Sequence, residues 1–100
     1  MKKYIPDLPM VVAAEKDFIG LLGNAPRAPQ CYKALGGNLS DLARARADGG
    51  AEELRALSAA RWGAVQAVRG YGPSGDSALD TAFGRMEAAA SAAGEAKRRR

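Results

Sequence analysis

A chain of 100 residues has room for one hydrophobic core, and because 22 of its 47 hydrophobic residues are alanine, only 25 larger apolar side chains can fill it. The formal charge of +4 resides in the last four residues, Lys97 to Arg100; without them eleven basic residues balance eleven acidic ones, which excludes a broadly basic surface. The absence of histidine and the single cysteine, Cys31, exclude His-based acid–base catalysis, Ser-His and Cys-His nucleophile pairs, most zinc sites and an internal disulfide.

Residues 1 to 8 are expected to be an extended lead-in, because Pro6 and Pro9 bias Ile5 and Leu8 away from helix. Prolines and an aspartate interrupt the N-terminus, so it does not have the pattern of a signal peptide. No apolar run approaches the roughly twenty residues that cross a bilayer. A cytoplasmic setting is expected, with Cys31 as a small buried or half-buried apolar residue.

The first helix is predicted from Pro9 to about Leu22, ended by Gly23-Asn24. Val11, Ala14, Phe18 and Leu22 recur at steps of three, four and four and define its buried stripe, widened by Val12 and Ile19. Residues 24 to 29 form a loop. Cys31 to Leu35 is predicted as a short helical turn, stopped by Gly36-Gly37. A third segment opens at Asn38, which can cap its first amides, and closes at Gly49-Gly50. Leu39, Leu42 and Ala43 form its inner face; Asp41, Arg44, Arg46 and Asp48 form a solvated one.

The fourth helix spans about Ala51 to Arg69, and the fifth runs from Ser77 to about Glu95. Ser77 and Asp80 have capping-box spacing, and Leu79, Phe83, Met86 and Ala90 form the inner stripe of the fifth helix. No window alternates as a strand does. The expected fold is therefore all-α, a compact bundle of about four helices plus a short helical turn, with residues 1–96 as one domain and 97–100 as a basic tail.

Between these last two helices, Gly70, Gly72 and Gly75 spell G-x-G-x-x-G. A dinucleotide loop needs a strand in front of its glycines and a ribose-binding acid behind them. A helix precedes this one, and Pro73 stiffens it, so we read a turn in which Gly70 ends one helix. The acidic pairs Glu52-Glu53 and Asp76 with Asp80 lie at predicted helix starts, where they complement the dipole. No enzyme chemistry, cofactor or metal is expected.

At 100 degrees per residue the fourth helix divides into three faces. Leu54, Leu57, Ala64, Val65 and Val68 form a core stripe. Ala56, Ala59, Ala60, Gly63, Ala67 and Gly70 form a ridge of small residues that would admit another helix, such as the fifth, at close range. The third face is Arg55, Ser58, Trp62, Gln66 and Arg69, with an arginine seven residues on either side of the only tryptophan. Tryptophan and arginine are favoured at binding hot spots. Arg61 and Arg69 have no acidic residue three or four positions away, so each needs one elsewhere in the fold or on a partner. Trp62 as a core residue with arginines passing it, and Trp62 as an interface residue, are both open at this level. The candidate partner-binding set is Arg55, Arg61, Trp62, Gln66, Arg69 and Tyr71.

The lead-in "MKKYIPDLPMVVAAEKDFIGLL" and the segment "ALSAARWGAVQAVRGYGPSGDSALDTAF" resemble small phage-encoded anti-CRISPR proteins that act on type I effector complexes. That group shares a role and not a fold. The resemblance implies a non-enzymatic inhibitor that docks on a Cas subunit in the host bacterial cytoplasm and blocks target-DNA binding. The adjacent Trp62-Gly63 pair does not match the ESX-secreted helical hairpins, whose Trp-x-Gly lies in a turn. The leading expectation is a binding protein that inhibits a larger protein or ribonucleoprotein complex by occupying its surface. The alternative is a small nucleic-acid-binding protein using the basic tail and the helix-four arginines.

Overall fold

The computed structural model describes the backbone of residues 9–98 and the side chains of residues 9–92; the expected lead-in 1–8 lies outside the described residues, as do the side chains of the basic tail. Pro9 opens α1 (Pro9–Gly23), in keeping with the tolerance of a first helical turn for proline. Val11 and Phe18 are buried, with Ala14 and Leu22 half-buried along the same stripe. Chain reversal follows through 24–29, where Asn24 and Ala25 donate to the carbonyls of Leu21 and Leu22.

The short turn and the third segment are one helix, α2 (Gln30–Asp48), which runs unbroken through Gly36-Gly37. Each glycine costs about 1 kcal/mol in helix propensity. Against that, the continuous helix buries Tyr32, Leu35, Leu39, Leu42 and Ala45, and a fully buried leucine alone contributes about 1.5–3 kcal/mol. Gly36 also has a packing reason: a Cβ there would stand 2.1 Å from Leu22 Cδ2, so α1 and α2 approach closely at this point because it has none. Asn38 is accordingly mid-helix and caps nothing; its Nδ2 donates to the carbonyl of Leu57 at 3.3 Å. Ala43, expected inside, is exposed.

After Gly49 and Gly50, α3 (Ala51–Tyr71) carries Glu52 and Glu53 in its first turn. It passes Gly70 and ends two residues beyond the predicted Arg69. Gly72, at φ 99°, is the residue that turns the chain, with its amide on the Val68 carbonyl at 3.0 Å. Gly75 takes φ 96° three residues later. The final helix, α4 (Ser77–Arg98), is capped by Asp76 and not by Ser77: Asp76 Oδ1 accepts from the amides of Ala78 and Leu79 at 3.0 and 3.2 Å. Helical backbone continues past the predicted Glu95 into the first two residues of the basic tail.

In the bundle α2 packs on α3, α1 on α2 and α1 on α4. Successive in sequence, α3 and α4 are the two ends of that spatial series. One core cluster joins all four: Phe18, Tyr32, Leu35, Leu39, Val65, Val68, Leu79, Ala82, Phe83 and Met86. Phe18, Tyr32 and Phe83 form its aromatic part, each ring meeting the other two with centroids 6.1 to 6.4 Å apart. Cys31 is half-buried against this cluster, as expected.

Of the predicted α3 stripe, Val65 and Val68 are buried, while Leu54, Leu57 and Ala64 are only half-buried. The ridge of small residues does not receive α4. Ala56, Ala59, Ala60, Gly63, Ala67 and Gly70 are all exposed, and nothing lies within 4 Å of a Cβ built on Gly63 or Gly70. The core-facing stripe turns the opposite side of α3 inward, and both cannot face the bundle. Ala90, predicted inside, is likewise exposed; among the described residues of α4 the last buried one is Met86.

Candidate functional site

Where α3 and α4 face each other without close backbone packing, a cleft of about 350 Å³ opens. Val65 and Met86 form its apolar base. Ser58, Arg61, Trp62 and Arg69 line it from α3; Glu87, Ala90 and Ser91 line it from α4. Glu15 reaches it from α1.

Glu15 is 2% exposed, which in a lone carboxylate would be prohibitive. Two arginines from two other helices hold it. Arg61 Nη1 of α3 donates to its Oε2, and Arg46 Nη1 of α2 stands 3.0 Å from its Oε1. Arg61 therefore finds its acid inside the fold, and its inward position in the α3 stripe is explained. Arg46, expected on a solvated face, is instead largely buried in this pair. Asp41 and Arg44 do form the exposed local pair their spacing suggests. Residue-pattern reading passed over Glu15, yet a signal was there: it stands four residues after Val11 and three before Phe18, inside the apolar stripe of α1.

Trp62 lies at the mouth of the cleft and is 63% exposed, which settles it as a surface residue and not a core one. The Arg69 guanidinium lies over its ring, 5.9 Å from the centroid, in cation–π geometry. The Nε of the same arginine donates to Glu87 Oε2 across the cleft. Arg69 thus ties the indole of α3 to the carboxylate of α4. Gln66 and Arg55 are exposed on the same edge, and Arg55 makes no ion pair among the described residues.

Tyr71 does not join this surface. Nine residues after Trp62, it points to the other side of α3. Its ring meets Tyr32 of α2 edge-on at 6.3 Å, and it remains 61% exposed. The structure therefore brings together Arg55, Trp62, Gln66 and Arg69 as an outer edge, with Arg61 beneath them, and separates Tyr71.

The glycine motif builds a latch. Tyr32 hydroxyl donates to the Gly72 carbonyl at 2.6 Å and stands 3.4 Å from Asp80 Oδ1. Ser74 donates to the same carboxylate through its amide at 3.0 Å and its hydroxyl at 2.7 Å. Partial desolvation pushes the Asp80 carboxyl up, but these hydrogen bonds outweigh it and hold the group below the usual carboxylate range. Burial, helped by the neighbouring Asp80 carboxylate, pushes the Tyr32 hydroxyl up to about 12. The Gly72, Ser74 and Asp76 amides are all engaged within the protein, on the Val68 carbonyl, the Asp80 carboxylate and the Ser74 hydroxyl, so these bonds fix the α3–α4 turn.

Among the described residues no helix is long and apolar enough to cross a membrane. In comparison with known proteins, no family model, no curated protein and no solved structure matches the chain.

Proposed function

We propose that this chain is a non-enzymatic helical binding protein that inhibits a larger protein or ribonucleoprotein complex by occupying its surface through the α3–α4 cleft. One observation carries the reading: Trp62, the only tryptophan, stands exposed at the mouth of the cleft with Arg69 stacked on it. A large aromatic left in water beside a concave apolar surface is the arrangement of a binding hot spot. Arg69 is held by Glu87, so the pair is ordered before any partner arrives, which lowers the entropy cost of docking. The sharpest form of the proposal follows from the resemblance to anti-CRISPR proteins: a chain that blocks target-DNA binding by a type I surveillance complex.

Placing a photo-crosslinking residue at position 62, with Lys33 as an exposed control position on α2, tests the docking reading in cells that encode the chain. A discrete adduct from position 62 and none from position 33 is expected; equal labelling from both removes the claim. Adding the purified chain to a type I surveillance complex and measuring target-DNA binding tests the sharper form. Co-migration with loss of DNA binding, reversed by Trp62→Ala, is expected, and unimpaired DNA binding eliminates it.

A further inference from the structure

We propose that the α3–α4 side of the bundle takes an amphipathic helix of the partner whose docking face is uncharged, with large apolar residues at i and i+7 seated in two cavities and small residues between them. This rests on the docking reading and adds the form and chemistry of what docks. Beside the cleft of about 350 Å³ lies a second cavity of about 240 Å³, bordered by Val68 and Arg69 of α3, by Gly72 at its end, and by Asp80 and Phe83 of α4. Arg69 borders both, so the side chain that pairs with Glu87 divides one groove into two seats. A cavity of about 150 Å³ already holds a benzene ring, so each seat takes one large apolar side chain.

The spacing selects a helix. On α4 the second cavity is lined at residues 80 and 83 and the cleft at residues 86, 87, 90 and 91, so the two linings are centred seven residues apart. That is about 10.5 Å at 1.5 Å per residue. On α3 the linings, Ser58 to Arg69 and Val68 onward to Gly72, are centred about the same distance apart. A helix laid along the groove repeats this spacing with residues i and i+7 on one face, the helix-in-groove mode of recognition. An extended segment does not, because its same-face residues recur at about 6.6 or 13 Å and miss one seat.

The charges of the groove select the docking face. Glu15 is paired with Arg61, Glu87 with Arg69, and Asp80 accepts from Ser74. Every charged side chain of the two linings is therefore already matched, and a carboxylate or ammonium brought in by the occupant meets a like charge beside each opposite one. The electrostatic complement of such a groove is an uncharged face. Its floor, Val65, Val68, Phe83 and Met86, is apolar.

The test uses the full chain with methyl-labelled methionine and valine. Met86 reports the cleft and Val68 the second cavity, while the exposed Met10, which borders neither, is the control. The reference probe is a peptide helix of about five turns with Leu at i and i+7, Ala at i+3 and i+4, and its charges on the far face. Three further peptides carry Leu at i and i+5, Glu at i+4, or Lys at i+4, and a single-stranded oligonucleotide serves as competitor. We expect saturable shifts at Met86 and Val68 with the reference peptide, and affinity weakened about tenfold or more by the altered spacing and, to similar extents, by Glu and by Lys. Ala90→Leu, at an exposed position of the cleft, fills the first seat and weakens binding, with circular dichroism checking that the fold is kept. Equal binding with the altered spacing, tighter binding of the Glu or Lys peptide, displacement by the single strand, or a dimer of this chain that covers Met86 and Val68 would overturn the proposal. Crosslinking from position 62 in cells separates the two levels: an adduct without preference for the i+7 peptide removes the helix and leaves the docking reading, and no adduct removes both.

Discussion

Arg61 of α3 and Glu15 of α1 form a buried ion pair that faces the α3–α4 cleft, and Arg46 of α2 holds the other oxygen of the same carboxylate. Three helices are thereby tied at one carboxylate, beneath the exposed indole of Trp62. The asymmetry of that arrangement ranks its mutations. Glu15→Gln leaves two largely buried guanidinium groups without their acid and is expected to cost about 3–5 kcal/mol. Arg61→Met leaves Glu15 its pair with Arg46 and keeps the apolar stem, so it costs less. Urea unfolding followed by circular dichroism measures both; a larger loss in Arg61→Met than in Glu15→Gln contradicts the assignment of Glu15 as the hub.

The two adjacent glycines of α2 differ in what surrounds them. A Cβ on Gly37 meets nothing within 4 Å, whereas one on Gly36 meets the Leu22 side chain at 2.1 Å. Gly37→Ala is expected to stabilise the chain by about 0.5–1 kcal/mol through helix propensity. Gly36→Ala has the same propensity gain but must displace Leu22, so its net gain falls short of that at Gly37. Midpoints of urea unfolding compare them, and equal gains at both positions would show that α1 does not approach α2 there.

Those glycines also mark what residue patterns could and could not disclose. The apolar spacing of Val11 and Phe18, and of Leu79, Phe83 and Met86, located the helices because helix periodicity is local. Gly36-Gly37 read as a stop because the compensation comes from Leu22 on another helix, which no local window contains. Glu15 escaped notice for the same reason: its stabilising charges, Arg46 and Arg61, are on α2 and α3. The line of Arg55, Trp62, Gln66 and Arg69 was legible because one helix carries it whole. Its setting was not: the cleft is made by α4, and the ridge of small residues, an equally good local candidate for packing on α4, faces outward.

The latch on the α3–α4 turn has a pH signature at each end. Asp80 titrates below its ordinary value in the folded chain, so its contribution is present above the unfolded carboxylate range and is lost as pH falls through the lowered folded value. Tyr32 is shifted the other way, to about 12 from 10.0; its contribution is complete below pH 10 and is lost as pH rises toward 12. Tyrosinate absorbance of the native chain should show a step near 12 that is missing in Tyr32→Phe, and Asp80→Asn should flatten the acid limb of stability. A Tyr32→Phe variant that keeps the late step would refute the burial of this hydroxyl beside Asp80.

On the docking proposal, substitution of Trp62 is predicted to separate binding from folding. Its ring is mostly in water, so Trp62→Ala gives up the stacking of Arg69 and part of the cleft wall and is expected to change stability by no more than about 1 kcal/mol. Binding should respond far more, because a central aromatic at an interface is desolvated only when the partner is present, and its truncation commonly costs about 2 kcal/mol or more. Arg69→Ala supplies the companion measurement, since it removes the stacked cation and frees Glu87 while leaving the indole in place. Thermal melting and partner affinity, measured on the same preparations, decide the matter. A Trp62→Ala chain that unfolds early would make the indole part of the scaffold, and one that melts normally and still binds at full strength would move the docking surface away from the α3–α4 cleft.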